Sequence, residues 1–213
     1  SNAFLATKIS FINEIANVCE RVGANVEDVA TGMGLDKRIG DKFLNAGIGY
    51  GGSCFPKDTK ALVNIANEVG YNFKVLNSVI DVNKQQQRLL LDKLSERISE
   101  VKDKMIAVLG LSFKPNTDDM REAASIVVTN ELVQQGAHVV AFDPIATENA
   151  KSILSKEVEY ANSVEEAIKD CDAVLILTEW DEIKSVDLDV FKSMTYPLVI
   201  DGRNCFTLDT MRD

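Results

Sequence analysis

The chain has 213 residues, enough for one large domain or two small ones, and its 46% hydrophobic and 26% charged residues are ordinary for a globular protein. The net charge of −10, without a basic stripe, argues against nucleic acid as a partner. No apolar run approaches the roughly 20 residues that a membrane helix needs. The scattered cysteines argue against disulfides and a metal site and for a reducing cytoplasm; they are Cys19, Cys54, Cys171 and Cys205.

The first half of the chain predicts helices. Residues 4–22 carry two apolar stripes, and such a helix is buried on two sides, as in a small bundle or an oligomer interface. One stripe consists of Leu5, Ile9, Ile12, Ala16 and Cys19, and the other of Phe11, Ile15, Val18 and Val22. Asn25 predicts the N-cap of a short second helix that ends near Gly34.

Two further helices are expected before residue 100. Residues 56–69 predict a helix that Pro56 opens, because proline suits the first helical position. Its expected apolar face is Ala61, Leu62, Ile65, Ala66 and Val69. A long helix then extends to about residue 99, and its periodic stripe includes Asn83 and Gln87 among apolar residues.

A glycine-rich loop before the third helix is the most informative segment. Its glycines leave few side chains to block a ligand's approach to the backbone. Cys54 lies at the start of the helix, where unpaired amides and the helix dipole favour a thiolate, and Lys57 acts in the same direction. We therefore expect Cys54 to be a nucleophile; the alternative is a small apolar residue in a tight turn. Asp58, one turn on, is placed to orient a water or hold a proton, or is merely a favourable first-turn carboxylate.

From Asp103 onward the pattern changes to alternating strands and helices. Short apolar runs end in turn residues at 105–110, 138–144, 173–180 and 197–202, and helical stretches at 122–135 and 163–170 separate the first three. This alternation predicts an α/β, Rossmann-like parallel sheet with covered faces. The turn after the first strand lacks GxGxxG and is therefore not a standard dinucleotide site.

Charged residues follow two of these strands, where open α/β sheets bind their ligands. Lys114 and Arg203 predict a crevice that suits an anionic ligand, with Phe113 packing on that ligand. From the helical side, the same ligand is expected to meet Phe43, Leu44, Asn45 and the backbone of 47–52, which includes Gly47, Gly49, Tyr50 and Gly51. The alternative for Phe43 and Phe113 is a place in the core.

Three segments carry a resemblance to a known family. FLNAGIGYGGSCFPKD at 43–58 is similar to the active-site segment of the UDP-glucose/GDP-mannose dehydrogenases, and GLSFKPNTDDMRE at 110–122 and DGRN at 201–204 follow in family order. The resemblance implies a helical central dimerisation domain over 1–102 and a Rossmann-like UDP-binding domain over 103–213. The first segment looks more like the UDP-glucose branch than the GDP-mannose branch.

The resemblance also implies a chemistry and a set of roles. The expected reaction is NAD-dependent oxidation of UDP-glucose to UDP-glucuronate, with Cys54 holding the substrate as a thiohemiacetal and then a thioester, and with Asp58 as the second catalytic residue. The implied contacts to NAD are Ser53, Cys54, Lys57 and Arg121. By the same resemblance, Arg38 reaches the substrate site of a neighbouring subunit in a homodimer.

The chain departs from the family at its start. The family's NAD domain precedes the helix at which this chain begins, so we expect a central plus C-terminal fragment with little activity alone. Ser1-Asn2-Ala3 resembles a cloning remnant; Asn2 falls at the family's oxyanion asparagine, and the place of its lysine lies before residue 1. The alternatives are a GDP-mannose 6-dehydrogenase, or a nucleotide-sugar-binding or oligomerisation module without chemistry.

Overall fold

The structure, a computed structural model, describes residues 1–207, and the chain forms two compact units that divide between Gln87 and Arg88. The division falls inside a long helix, Lys74–Arg97 (α4), whereas strands begin only at Met105. The expected domain boundary between residues 102 and 103 therefore stays a prediction. Over residues 1–207, every helix is too short or too polar to cross a bilayer.

Helices make up the first unit: α1 (Asn2–Val22), α2 (Val26–Gly34), α3 (Cys54–Glu68) and residues 74–87 of α4. Asn25 caps α2, because its side chain accepts a hydrogen bond from the backbone N–H of Glu27 at 2.9 Å. α1 packs against both α2 and α3. The buried centre of one cluster consists of Ala6, Tyr50, Leu76 and Val79.

The two apolar stripes of α1 have different surroundings. On the first stripe, Ile12 and Cys19 are 0% and 5% exposed, so this stripe faces the interior of the unit. On the second stripe, Phe11, Val18 and Val22 remain 51%, 54% and 70% exposed. The unit therefore covers one stripe by itself and leaves the other at its surface.

α3 differs from the expectation in its start and in its buried face. It begins at Cys54, two residues before Pro56, so the proline lies within the first turn. A proline fits there because the first four N–H groups of a helix lack intrahelical partners, and the missing N–H of Pro56 breaks no hydrogen bond. Its buried residues are Pro56, Thr59 and Ala66. The predicted apolar face is wrong apart from Ala66, since α1 packs on an adjacent face; Leu62, Ile65 and Val69 are 37%, 58% and 76% exposed.

The second unit is an α/β layer. Its described residues form a sheet of five parallel strands in the order β3-β2-β1-β4-β5. The strands are β1 (Met105–Leu109), β2 (His138–Phe142), β3 (Glu159–Tyr160), β4 (Ala173–Ile176) and β5 (Val199–Asp201). Between them lie α5 (Ala124–Gln134), α6 (Thr147–Ile153), α7 (Val164–Ile168), α8 (Asp181–Lys184) and a 3₁₀ helix, Leu188–Ser193. The predicted α/β fold class is confirmed.

The centre of the sheet explains the apolar runs in the sequence. β4 is buried at every residue and β1 at every residue except Met105, as expected for strands covered on both faces. The chain leaves β1 toward β2 on one side and reaches β4 on the other, so the strand order reverses between β1 and β4. Such a reversal places a ligand crevice at the carboxyl ends of these two strands.

Candidate active site

Cys54 is the first residue of α3 and is exposed to solvent. Its Sγ lies 3.8 Å from the hydroxyl oxygen of Ser53, the N-cap residue. The position combines access for a substrate with the unpaired N–H groups of a helix start, which favour negative charge. An exposed thiol in this setting is suited to nucleophilic attack on a carbonyl carbon.

Asp58 lies one turn along the same helix and is held by a residue of α1. The Nδ2 of Asn2 donates a 2.7 Å hydrogen bond to Oδ2 of Asp58, and the ammonium of Lys57 lies 3.7 Å from Oδ1. The side chain of Asp58 is 41% exposed, so solvent reaches the carboxylate. The structure thus brings Asn2 of α1 to Asp58, which lies one turn after Cys54 on α3.

The glycine loop before Cys54 has its backbone in the interior. Gly49 has φ of +90°, and a Cβ at this position would lie 2.6 Å from Oδ1 of Asn83, so only glycine fits. Leu44 and Tyr50 are 4% and 8% exposed, so both residues are held in the interior of the unit. The ring of Tyr50 packs edge-on against Phe55 with 5.7 Å between centroids. Burial raises the pKa of Tyr50, and a hydrogen bond with Thr59 opposes that rise.

Buried amide side chains hold this loop, and the sequence analysis did not identify them as site residues. Asn83 accepts from the N–H of Tyr50 at 2.8 Å and donates to its carbonyl at 3.0 Å. Asn13 accepts from the N–H of Gly47 at 2.8 Å, while Gln86 donates to the Gly47 carbonyl at 2.8 Å. The available signal was an amide on the apolar stripe of α4, since a buried polar side chain needs a partner.

Arg38 and the predicted substrate residues beside it lie at the surface. The Arg38 side chain is 89% exposed and forms a bidentate pair with Asp36, whose pKa that pair lowers. Lys8 fixes the segment, because its ammonium donates to the carbonyls of Ile39 and Lys42 at 3.0 and 2.5 Å. Asn45 is exposed, and Phe43 is 37% exposed, with its ring centroid 6.1 Å from that of Phe55.

In the second unit, Phe113 and Lys114 follow β1. The Nζ of Lys114 lies 5.4 Å from the ring centroid of Phe113, and Lys114 is exposed. The backbone before them is fixed, because Ser112 donates its hydroxyl to the Lys114 carbonyl at 2.9 Å and Thr178 donates to the Ser112 carbonyl at 2.5 Å. Gly110 has φ of +87° and packs directly against Thr178. The loop therefore presents Phe113 and Lys114 from a rigid base.

Asp143, which follows β2, is the centre of these contacts and is a further residue that the sequence analysis missed. Its carboxylate is 3% exposed. Oδ2 accepts from the N–H groups of Leu111 and Ser112 at 2.7 and 3.0 Å and from the indole N–H of Trp180 at 3.1 Å. Oδ1 accepts from two further backbone N–H groups, at 2.9 and 2.7 Å. One buried carboxylate thus ties together the loops that follow β1, β2 and β4.

Arg203 follows β5 and is more enclosed than a crevice cation was expected to be. Its side chain is 16% exposed, and its Nε donates to the Leu177 carbonyl at 2.9 Å. The same Nε lies 3.5 Å from Oε2 of Glu179. Burial lowers the pKa of Arg203, and Glu179 opposes that shift. Because β4 lies between β1 and β5, the loops carrying Lys114 and Arg203 leave the sheet about 10 Å apart on one edge.

Arg121, the predicted NAD contact of the second unit, is 68% exposed and forms a bidentate pair with Asp119. The pair lowers the pKa of Asp119. Ser53 and Lys57, the contacts predicted in the first unit, flank Cys54, and Lys57 is 75% exposed. Residues 1–207 contain no cluster of three His, Cys, Asp or Glu side chains that could hold a metal ion.

Comparison with known proteins agrees with these two units. Residues 1–85 match the UDP-glucose/GDP-mannose dehydrogenase family, central domain, and residues 107–208 match the UDP binding domain of the same family. The chain is 60% identical over 98% of its length to UDP-glucose 6-dehydrogenase YwqF of Bacillus subtilis, and 55% identical over its full length to UDP-glucose 6-dehydrogenase TuaD of the same bacterium.

A solved structure gives the same result. A UDP-glucose dehydrogenase from the hyperthermophilic archaeon Pyrobaculum islandicum matches all of this chain with a TM-score of 0.90 and 37% identity. The chain spans about half the length of these relatives: 48% of YwqF, 46% of TuaD and 47% of the archaeal protein. The chain therefore belongs to the UDP-glucose/GDP-mannose dehydrogenase family, of which it carries the central domain and the UDP binding domain.

Proposed function

We propose that this chain is the catalytic and nucleotide-sugar-binding part of an NAD-dependent UDP-glucose 6-dehydrogenase. The observation that carries the proposal is the exposed Cys54 at the first position of α3, with Asp58 one turn away and bound by Asn2 at 2.7 Å. The relatives at 60% and 55% identity are both named UDP-glucose 6-dehydrogenases, which favours UDP-glucose over GDP-mannose.

Cys54 acts as a covalent carrier between two oxidations. In the first, the C6 hydroxyl of glucose gives up its proton and C6 gives up a hydride, which leaves an aldehyde. The Cys54 thiolate adds to the aldehyde carbon and the oxygen takes up a proton, so that a thiohemiacetal forms. Loss of a second hydride and of the hydroxyl proton gives a thioester. Water then adds to the thioester carbon and the S–C bond breaks, which releases the carboxylate, the Cys54 thiolate and the two protons of the water.

Asp58 handles water and protons beside the sulfur. Its Oδ2 is engaged by Asn2, and Lys57 lies 3.7 Å from Oδ1, so the carboxylate is oriented while 41% of the side chain stays open to solvent. An oriented carboxylate at this position can hold the proton that leaves the hydrolytic water. Asn2 is in this reading a positioning residue for Asp58.

The residues of this chain fit the reacting end of NAD. The thiol of Cys54 is exposed, and Lys57 and Arg121 are surface cations that an anionic cofactor can approach. The first βα turn does not fit a dinucleotide, because 14 residues (110–123) separate β1 from α5 and no GxGxxG turn opens that helix. When bound, NAD⁺ supplies the hydride acceptor for both oxidations, and a domain preceding this chain is the proposed source of its main site.

The second unit binds the nucleotide at the carboxyl edge of its sheet. Lys114 supplies an exposed cation and Phe113 an aromatic face from one rigid loop, and Arg203 supplies a second, enclosed cation two strands away. Cations and an aromatic surface are the groups that a diphosphate and a uracil require. The glycine loop of the first unit is the proposed partner of the sugar.

A homodimer through α1 is part of this proposal. The exposed residues Phe4, Phe11 and Val18 repeat every seven residues along α1. The partly buried Ile15 and the exposed Val22 have the same spacing, which suits packing against a second helix. Such a stripe at the surface indicates a partner. The bidentate pair with Asp36 holds Arg38 at the surface, from where it is proposed to reach the substrate site of the second subunit.

Kinetics on the intact protein that contains this chain test the function. We expect two NADH for each UDP-glucose consumed, and no net uronic acid from Cys54→Ser, because a serine hydroxyl is a far weaker nucleophile. Cys205→Ser, a partly buried cysteine of the second unit, is the matched control and should remain active. Calorimetry with UDP-glucose, GDP-mannose and UDP tests the base, and a preference for GDP-mannose would contradict the assignment.

Sedimentation tests the dimer separately. The wild-type chain should sediment as a dimer at micromolar concentration, and Phe11→Ser should shift it toward the monomer. Leu35→Ser alters an apolar residue outside the stripe that is more exposed than Phe11, 80% against 51%, and should leave the dimer intact. A monomeric wild-type chain would remove both the dimer and the role of Arg38 across it.

A further inference from the structure

Three amide side chains from two helices enclose the glycine loop, and we name them the amide cluster: Asn13 on α1 and Asn83 and Gln86 on α4. They are 0%, 8% and 4% exposed. Burying a primary amide is unfavourable unless its hydrogen bonds are replaced, and an apolar side chain of the same size would fill the space at lower cost. The positions of these amides therefore require a reason beyond packing.

The bonds of the amide cluster converge on two residues of the loop. Asn83 binds both the N–H and the C=O of Tyr50, at 2.8 and 3.0 Å. Asn13 binds the N–H of Gly47 and Gln86 binds its C=O, each at 2.8 Å. The backbone at two points three residues apart is thus fixed by side chains in the way that a neighbouring strand fixes a strand.

The fixed backbone is connected to the start of α3. The Tyr50 ring packs on Phe55, the residue after Cys54, with 5.7 Å between centroids, and Gly49 gives Asn83 the room to approach the loop. A displacement of the Tyr50 backbone would therefore move the ring that supports the first turn of α3. The conformation of the glycine loop and the position of Cys54 therefore depend on each other.

We propose that the amide cluster consists of positioning residues, which hold the glycine loop in its ligand-binding conformation before the nucleotide sugar arrives. A loop that is already ordered loses less conformational entropy on binding, so the ligand binds more tightly. This inference rests on the proposed function, since the ligand whose affinity it concerns is UDP-glucose. The three residues of the amide cluster take no covalent part in the reaction and act only through the position of the glycine loop.

The test uses Gln86→Met, which keeps the volume and removes the donor to Gly47. Its control is Gln85→Met, the neighbouring exposed residue of the same helix. We expect Gln86→Met to raise hydrogen exchange at residues 47–52 at least tenfold and to weaken UDP-glucose binding by calorimetry at least tenfold. Urea unfolding identifies variants that are folded under the conditions of the measurement. Gln85→Met should match the wild type in both readouts.

A milder variant covers the case in which Gln86→Met does not fold. Asn17 donates to Oε1 of Gln86 at 3.1 Å and is only half-buried, so Asn17→Ala loosens Gln86 without touching the loop. We expect a smaller change in the same two readouts. Folded variants with a loosened loop and unchanged UDP-glucose affinity would overturn the inference, as would unchanged exchange in the loop. A wild-type chain that binds no UDP-glucose would instead contradict the proposed function.

Discussion

The substitution Asp143→Asn removes the charge at the centre of the strand-end loops and keeps its shape. An asparagine can present its oxygen on only one side, so its amide group faces N–H donors on the other. If the amide replaces Oδ1, the donors left unpaired are those of Ile145 and Ala146; if it replaces Oδ2, they include Leu111, Ser112 and Trp180. At least two donors therefore lose their acceptor in either orientation, and at least one of them, such as the N–H of Ala146, is fully buried.

The magnitude follows from these donors. A buried N–H without an acceptor costs about 1–3 kcal/mol, so the loss of one or two such bonds lowers the free energy of unfolding of the second unit by about 1–6 kcal/mol. This is a large part of the total for an ordinary domain, which is about 5–15 kcal/mol. With a urea dependence of about 2 kcal/mol per M, the unfolding midpoint should fall by about 0.5–3 M.

The chain contains its own probe for this measurement. Its single tryptophan, Trp180, is buried and donates to Asp143, so its fluorescence reports unfolding of the second unit rather than the first. Asp181→Asn is the matched control, because Asp181 is 87% exposed and its pair with Lys184 contributes little. A fall of less than about 1 kcal/mol for Asp143→Asn would refute the view that this carboxylate holds the three loops together.

Three further predictions follow from named contacts. Gly110→Ala should destabilise the second unit by about 2–5 kcal/mol in urea unfolding, because its Cβ would lie 2.7 Å from the Thr178 backbone nitrogen at a φ of +87°; an unchanged midpoint would contradict this. Burial raises the pKa of Cys171 from 9.0 to about 11, so the unfolded state loses this proton first as the pH rises. The free energy of unfolding therefore falls between about pH 9 and pH 11. Over that range the free energy of unfolding of Cys171→Ala should fall by about 1–3 kcal/mol less than that of the wild type, as measured by urea unfolding at both pH values. Asp58→Asn in the intact protein should lower kcat about 100-fold or more with UDP-glucose affinity unchanged by calorimetry, whereas a mainly weakened affinity would argue against a chemical role.

Some features of this protein could be read from local sequence. The apolar runs of β1 and β4 predict strands covered on both faces, and both strands are buried. Asn25 predicts a helix cap, and its side chain makes that hydrogen bond. The segment around Cys54 predicts a thiol at a helix start, and Cys54 is the first residue of α3. These features depend on neighbouring residues alone, so the sequence contains them.

Other features were missed or misjudged because they depend on which surfaces meet. The two-residue strand β3 is too short to leave a periodic pattern. Ile65 and Val69 belong to an apolar face, but periodicity alone does not say which face of α3 packs against α1, and both are exposed. The contacts of Arg203 with the Leu177 carbonyl and Glu179 were not foreseen, because both partners lie in the loop after a different strand; its role at the nucleotide stays a prediction.

The sequence by itself determined most of the helices and strands, the place of Cys54 at a helix start and the family, because helix starts, strand runs and motifs are written in consecutive residues. The tertiary structure decided which polar side chains are buried and what they bind. Asn83 lies 33 residues from Tyr50, and Asp143 lies 37 residues from Trp180. A buried polar group must find its hydrogen-bond partner wherever the fold brings one, and that partner is set by the packing of distant elements rather than by neighbours along the chain.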